Sequence, residues 1–254
     1  MKSYIEKMDE SYRNKHYPQG SFFEKAAGAN KRGNITLAVM AAVVSVLLGA
    51  LIFFLIGLTM DHSAQGNAES VKMGLIFIAV VAVILALCVF GFIVAVRHMK
   101  DGAEEVMKKA AKNSGLTEDD IREFERQALQ SDSYVLTLAG KISAAMSGQK
   151  DGLLTRDYIW LGDNRNCILK RGGIVGASLY HWYYYVNKKR VCSLNLALVN
   201  RDNVMAGAEV TEEAGRELMK LLSEAHPAIQ VHEDILEEGK EFDAWRESLV
   251  TVKC

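Results

Sequence analysis

Two uninterrupted apolar runs dominate the pattern of the chain. Ile35 to Leu58 and Met73 to Val96 are each 24 residues long and carry no charged side chain, and the polar stretch Thr59 to Lys72 separates them. A helix of that length rises about 36 Å at roughly 1.5 Å per residue, more than the roughly 30 Å of a bilayer's hydrocarbon core. A helix also pairs its own backbone N–H and C=O groups, which lipid cannot do. The pattern predicts a membrane α-helical hairpin over 35–96 with a short external loop at 59–72. A cleaved signal peptide is not expected, because the first run is too long and 34 residues precede it.

The flanks predict an orientation, since Lys and Arg accumulate on the cytoplasmic side of a membrane. Lys25, Lys31 and Arg32 precede the first run, and Arg97, Lys100, Lys108 and Lys109 follow the second, whereas the loop sets Asp61 and Glu69 against Lys72 alone. The expectation is a multi-pass protein of the cell membrane with both termini cytoplasmic. Ala38, Ala42, Ser45 and Gly49 form a stripe of small residues that allows close helix approach. It suits packing within the hairpin or a homodimer.

Outside the runs the periodicity changes several times. Residues 1–34 form a polar, tyrosine-rich N-terminal segment; a short helix on Ile5, Met8 and Tyr12 is broken at Pro18-Gln19-Gly20. Its aromatic residues suit either the membrane interface or a disordered lead-in. Residues 97–133 read as a helical linker, in which Arg97 to Asn113 continues the second run, Ser114-Gly115 stops it, and Thr117 caps a second helix carrying Ile121, Phe124 and Ala128 on one face. Tyr134 to Ser147 fits strand and helix equally well.

From Leu153 onward short β-prone runs follow one another: Asp157 to Gly162, Arg165 to Arg171, Leu179 to Asn187, Val191 to Asn200 and Val204 to Val210. Cys192, Leu194, Leu196 and Leu198 alternate with their neighbours, as in a half-buried strand. An amphipathic helix from about Thr211 to Ala225 follows, ended by Pro227. A last helix, roughly Glu233 to Leu249, carries Ile235, Phe242, Trp245 and Leu249 and either covers the sheet or binds a partner. Residues 134–254 are therefore expected to form a cytoplasmic α+β domain with an antiparallel sheet closed by a C-terminal helix.

Composition narrows the function. The net charge is −1, and beyond Val96 the chain holds 22 Lys and Arg against 25 Asp and Glu, so no basic nucleic-acid footprint is present. The cysteines are Cys88, Cys167, Cys192 and Cys254. No pair has metal-ligand spacing, and thiols in the cytoplasm stay reduced. No metal or cofactor is expected.

The stretch Leu154-Thr155-Arg156-Asp157-Tyr158-Ile159, the aromatic run Tyr180 to Tyr185, the run Val204 to Val210 and the helix ending at His226-Pro227 together resemble a group of uncharacterised bacterial membrane proteins. These have two spans and a cytoplasmic domain with a pleckstrin-homology-like arrangement of strands and a closing helix. The resemblance covers about 75 residues. It implies a fold and no catalytic residues.

Candidate chemistry is sparse. His226 and His232 flank a proline without metal spacing. His181 lacks a nucleophile motif, so an enzyme reading would need it to work with Asp157. Gly172 to Gly176 lacks the Lys and Ser or Thr of a phosphate cradle. Asp157, Asp163 and Asp202 sit where turn chemistry explains them. Lys170, Arg171, Lys188, Lys189 and Arg190 are the candidate contacts to lipid or phosphate, since a cation near an anionic membrane is worth about 1 kcal/mol. The expected function is a membrane-anchored cytoplasmic interaction or sensing module without catalysis of its own, in contact with the lipid bilayer and with a protein partner or a second copy, and with no nucleic acid. Anionic-lipid headgroup binding, an accessory transporter subunit and a membrane enzyme are the alternatives.

Overall fold

The computed structural model describes residues 4–139, 151–163 and 165–251. The second half of the ambiguous stretch 134–147, Asn164 and Cys254 lie outside them. The chain divides into two compact units, one formed by residues 24–103 and the other by the N-terminal residues to 23 together with 104–254.

The first unit is built from two helices that are long and apolar enough to cross a membrane, α2 (Phe22–Ala64) and α3 (Ala68–His98). Their most apolar stretches bury nothing inside the protein; Val46 is 72% and Phe53 82% exposed. The loop expected at 59–72 shrinks to residues 65–67. Polarity limits how deep a residue can sit in lipid, not whether it can be helical, so Thr59 to Ala64 and Ala68 to Lys72 extend the helices. The chain reverses only where Gly66 takes φ +71° and Asn67 caps α3 by accepting from the Ser70 N–H. The small-residue stripe is the less exposed side of α2, with Ala38 buried and Ala42, Ser45 and Gly49 half-buried, although a Cβ at Gly49 would meet nothing; the tighter contact at a glycine is where Gly74 lies against Thr59.

The other unit has two open sheets. β1 (Ile5–Lys7), β2 (Tyr134–Leu136), β3 (Gly152–Leu154), β4 (Tyr158–Trp160) and β5 (Ile168–Lys170) run antiparallel in chain order. The second sheet contains β6 (Ile174–Val186), β7 (Lys189–Asn200), β8 (Met205–Glu209) and β9 (Gln230–Glu237) in the order β8-β7-β6-β9. Leu194, Leu196 and Leu198 face the same core as Ala177 and Leu179, but Cys192 is exposed and Asn195 to Asn200 are buried on both faces, so the strand is not half-buried along its length as expected. That core is completed by Leu136, Leu154, Ile159 and Leu169 of the first sheet and by Ala214, Leu218 and Leu222 of α6 (Glu212–Ala225).

The expected helix from Glu233 is strand β9 as far as Glu237, parallel to β6, so the sheet is not purely antiparallel. The open edge of β6 offers backbone partners to this segment, and Gly239 at φ +102° separates it from α7 (Lys240–Thr251). Helix α7 covers the outer face of the second sheet, with Phe242 against Tyr180, its ring centre 4.3 Å away, and Leu249 and Trp245 packed where Gly176 has no side chain.

The N-terminal segment is not a lead-in. β1 extends the first sheet and replaces the helix expected around Ile5, while α1 (Glu10–His16) starts only at Asp9, which caps it. The linker is also part of the folded unit: α4 (Ala103–Ser114) buries Val106, Ala110 and Ala111, and α5 (Glu118–Ala128) buries Ile121, Phe124 and Ala128. The expected cap is a full capping box, with Thr117 and Asp120 each accepting from the other's backbone N–H.

An aromatic cluster joins these pieces. Phe22 meets Phe124 edge-on at 5.2 Å and Trp160 at 4.7 Å, and Phe124 meets Tyr158 at 6.1 Å. Such pairs contribute about 0.5–1.5 kcal/mol beyond simple burial. Phe124→Ala should therefore lower unfolding stability by about 3–5 kcal/mol when the full chain is titrated with denaturant in detergent. Phe53→Ala, on an exposed surface, should leave the same transition in place.

Candidate basic and aromatic surfaces

The five cations singled out in the sequence do not form one site. Lys170 and Arg171 lie just before β6, and Lys188, Lys189 and Arg190 lie just after it. The 13 residues of β6, at about 3.3 Å each, put roughly 40 Å between the two groups.

The first pair lines a cleft of about 590 Å³ with Arg156, Asp157, Tyr158, Gly172, Gly173 and His226. Its charges are largely engaged within the protein. The Lys170 ammonium is 2.8 Å from Asp120. Arg171 donates through Nη1 to the carbonyls of Thr155 and Arg156, both at 3.0 Å, which clamps the β3–β4 turn, while its buried Nε has no partner among the described residues. Burial of Arg171 pulls its pKa below the ordinary value. Arg156 binds the Asp157 carboxylate, and the Gln127 amide, itself buried, donates to Asp157 and accepts from Thr155 and from the Asp157 N–H. The hydrogen bonds from Arg156 and Gln127 hold Asp157 below the usual carboxylate range. At Asp120 burial acts upward, yet hydrogen bonds from Lys170 and Thr117 outweigh it and the pKa is lowered.

The second group sits at the tip of the β6–β7 hairpin. Asn187 (φ +49°) and Lys188 (φ +64°) form the two-residue turn, both in the left-handed region that hairpins of right-handed twist require. Beyond the root this hairpin has no third strand among the described residues: β9 stops pairing β6 at His181, and β8 stops pairing β7 at Asn195. Residues 182–193 therefore form a two-stranded arm of about 17 Å, bearing Trp182, Tyr183, Tyr184 and Tyr185. The root is pinned by acids from β9 and the residue after it. His181 Nδ1 lies 2.8 Å from Glu237, the Tyr183 hydroxyl donates to Glu237 at 2.7 Å, and the Tyr183 N–H donates to Glu238 at 3.0 Å. These bonds lower the Glu237 pKa, and the Tyr183 hydroxyl, bonded to that carboxylate, is pushed up to about 12. Arg190 lies over the Tyr183 ring at 3.7 Å.

His181 and Asp157, the pair an enzyme would need, have other partners, Glu237 for the one and Arg156 and Gln127 for the other. Asp163 lines a second cleft of about 460 Å³ with Arg165, Tyr180, Trp182 and Asn195. Burial raises its pKa, and its carboxylate accepts from the Trp160 indole and from the N–H groups of Cys167 and Arg165, a turn-building role. Burial pushes the Cys167 thiol up to about 12, which disfavours the reactive thiolate. His226 ends α6, and His232 turns to the Asp234 carbonyl. No cluster of three metal-ligating side chains occurs among the described residues. Gln127 and Glu237 were not visible as site residues in the sequence, nor was the pairing of Asp120 with Lys170, since these contacts are made through the fold. No protein-family model, curated protein or solved structure matches the chain.

Two outcomes follow from the hairpin geometry. Lys188→Gly relieves a side chain held in the left-handed region and should raise unfolding stability by about 0.5–1 kcal/mol. Glu237 has a folded pKa below its unfolded one, so its contribution is present above the unfolded value and disappears as pH falls through the folded value. Wild type should therefore be more stable than Glu237→Gln at pH 7, with the difference starting to shrink in melts taken below about pH 4 and vanishing only below the lower folded value.

Proposed function

We propose that the protein is a membrane-anchored interaction or sensing module, with α2 and α3 in the bilayer and the α+β unit on the cytoplasmic side together with both termini. The observation that carries this reading is the pairing of two helices whose apolar surfaces face outward with a second unit that has its own closed-off core. Water disfavours the first arrangement and is suited to the second. The lysines and arginines that flank the apolar runs support the orientation. The strand order also supports the pleckstrin-homology-like reading: four antiparallel strands β2–β5, three antiparallel strands β6–β8, then helix α6, with β1, β9 and α7 as additions. The module works by contact, its surfaces being the arm and the basic cleft.

The protein should remain in the membrane pellet after alkaline carbonate extraction. In a Cys254→Ser background, exposed Cys192 should resist a membrane-impermeant maleimide in intact cells and react after permeabilisation. Release by carbonate would contradict the anchoring, and labelling of Cys192 in intact cells would contradict the orientation. Crosslinking from native membranes should return a partner that depends on residues 104–254; recovery of the same proteins with residues 24–103 alone would contradict the module reading.

A further inference from the structure

The β6–β7 arm has a feature that its role in the sheet does not require. One face carries Trp182, Tyr184, Val186 and Val191 in a row, because alternate residues of β6 and their β7 partners share a side. Trp182 is 44% exposed, Val186 39%, and Tyr185 on the opposite face 73%. The rings of Trp182 and Tyr184 lie 5.3 Å apart, so they present one continuous surface. An isolated two-stranded ribbon is marginally stable in water, and this one leaves large aromatic residues uncovered.

Charge is sorted along the same arm. From Trp182 to Ser193 the chain has three cations and no acid. All three stand at or beside the turn, and among the described residues Lys188 and Lys189 have no side-chain partner. The carboxylates of Glu237 and Glu238 sit at the root. The arm is thus polarised, positive at the tip and negative where it joins the sheet.

We propose that this arm is a membrane-surface anchor, which seats its aromatic residues in the interface of an anionic bilayer while Lys188, Lys189 and Arg190 hold the lipid phosphates. Trp and Tyr favour the headgroup level, where a ring is half in lipid and half wet. Anionic lipid supplies the countercharge that the tip lacks. The acidic root is repelled by the same surface, and that directs the tip toward it. The proposal rests on the membrane-anchored reading: once α2 and α3 are in a bilayer, the arm is tethered to the chain that holds that bilayer, and a weak contact is enough at such an effective concentration.

The test uses the full-length chain reconstituted into vesicles of brominated phosphatidylcholine, alone or mixed with brominated phosphatidylglycerol. The three tryptophans, Trp160, Trp182 and Trp245, all lie outside residues 24–103, so their emission reports on the α+β unit. In the mixed vesicles wild type should be quenched more than Trp182→Phe. The excess should fall at least severalfold in the triple variant Lys188→Glu/Lys189→Glu/Arg190→Glu, in 1 M salt, and in vesicles of phosphatidylcholine alone. The milder pair Lys189→Gln/Arg190→Gln should give a partial loss with an unchanged thermal transition, which separates lost contact from lost folding. Equal quenching of wild type and Trp182→Phe in carbonate-resistant protein would overturn the proposal. So would an excess that ignores both lipid charge and charge reversal, or crosslinks from Cys192 to a second copy in vesicles where the excess is absent. Loss of carbonate resistance in the reconstituted protein would instead refute the anchored reading beneath it.

Discussion

Backbone pairing along β6 governs the layout of the α+β unit. The strand bonds to β7 over nearly its whole length on one side and to β9 only as far as His181 on the other. An unpaired N–H or C=O that is also buried costs about as much as a lost hydrogen bond. The double-paired half of β6 can therefore be covered on both faces, and the rest must stay where water or another surface can reach it. On the covered half Ala177 and Leu179 face the main core, and Tyr180 meets Phe242 on the other side. The uncovered half becomes the arm. One strand thus supplies both fully buried residues, Ala177 and Leu179, and exposed ones, Trp182 and Tyr185.

The N-terminal residues show the same economy of edges. β1 closes the free edge of β2, some 130 residues away in sequence, and the chain then delivers Phe22 and Phe23 into the cluster with Phe124 and Trp160. Folding of residues up to 23 is coupled in this way to α5 and β4. Antiparallel pairing and aromatic packing together explain why segments that flank the apolar helices belong to one compact unit.

The parts of the fold visible in the sequence are those set by local rules. Twenty or more uncharged residues in a row have few structural solutions, so both long helices stand out. Their ends do not, because Glu69 or His62 is as acceptable in a helix as in a loop, and the turn depends on Gly66 and Asn67. The strands β4 to β8 and helix α6 follow from alternation, turn residues and an apolar stripe. β9 was hidden because Ile235, Phe242, Trp245 and Leu249 suit a helical period, and only the open edge of β6 makes a strand of its first residues. The candidate cations were visible as charge runs, and the length of the strand between them already separates the two groups. What no local rule contained is which of them is engaged: Lys170 pairs with Asp120 and Arg171 donates to the carbonyls of a turn, while Lys188 and Lys189 have no side-chain partner among the described residues.

The most direct measurement is hydrogen exchange on the full-length protein in lipid nanodiscs of neutral composition, read segment by segment. Almost no exchange is expected within 35–58 and 73–96, slow exchange at 174–181 and 194–200, and fast exchange at 183–192, where among the described residues two strands have only each other. Exchange in 35–58 or 73–96 as rapid as in α1, or protection of 183–192 equal to that of 174–181, would contradict this layout.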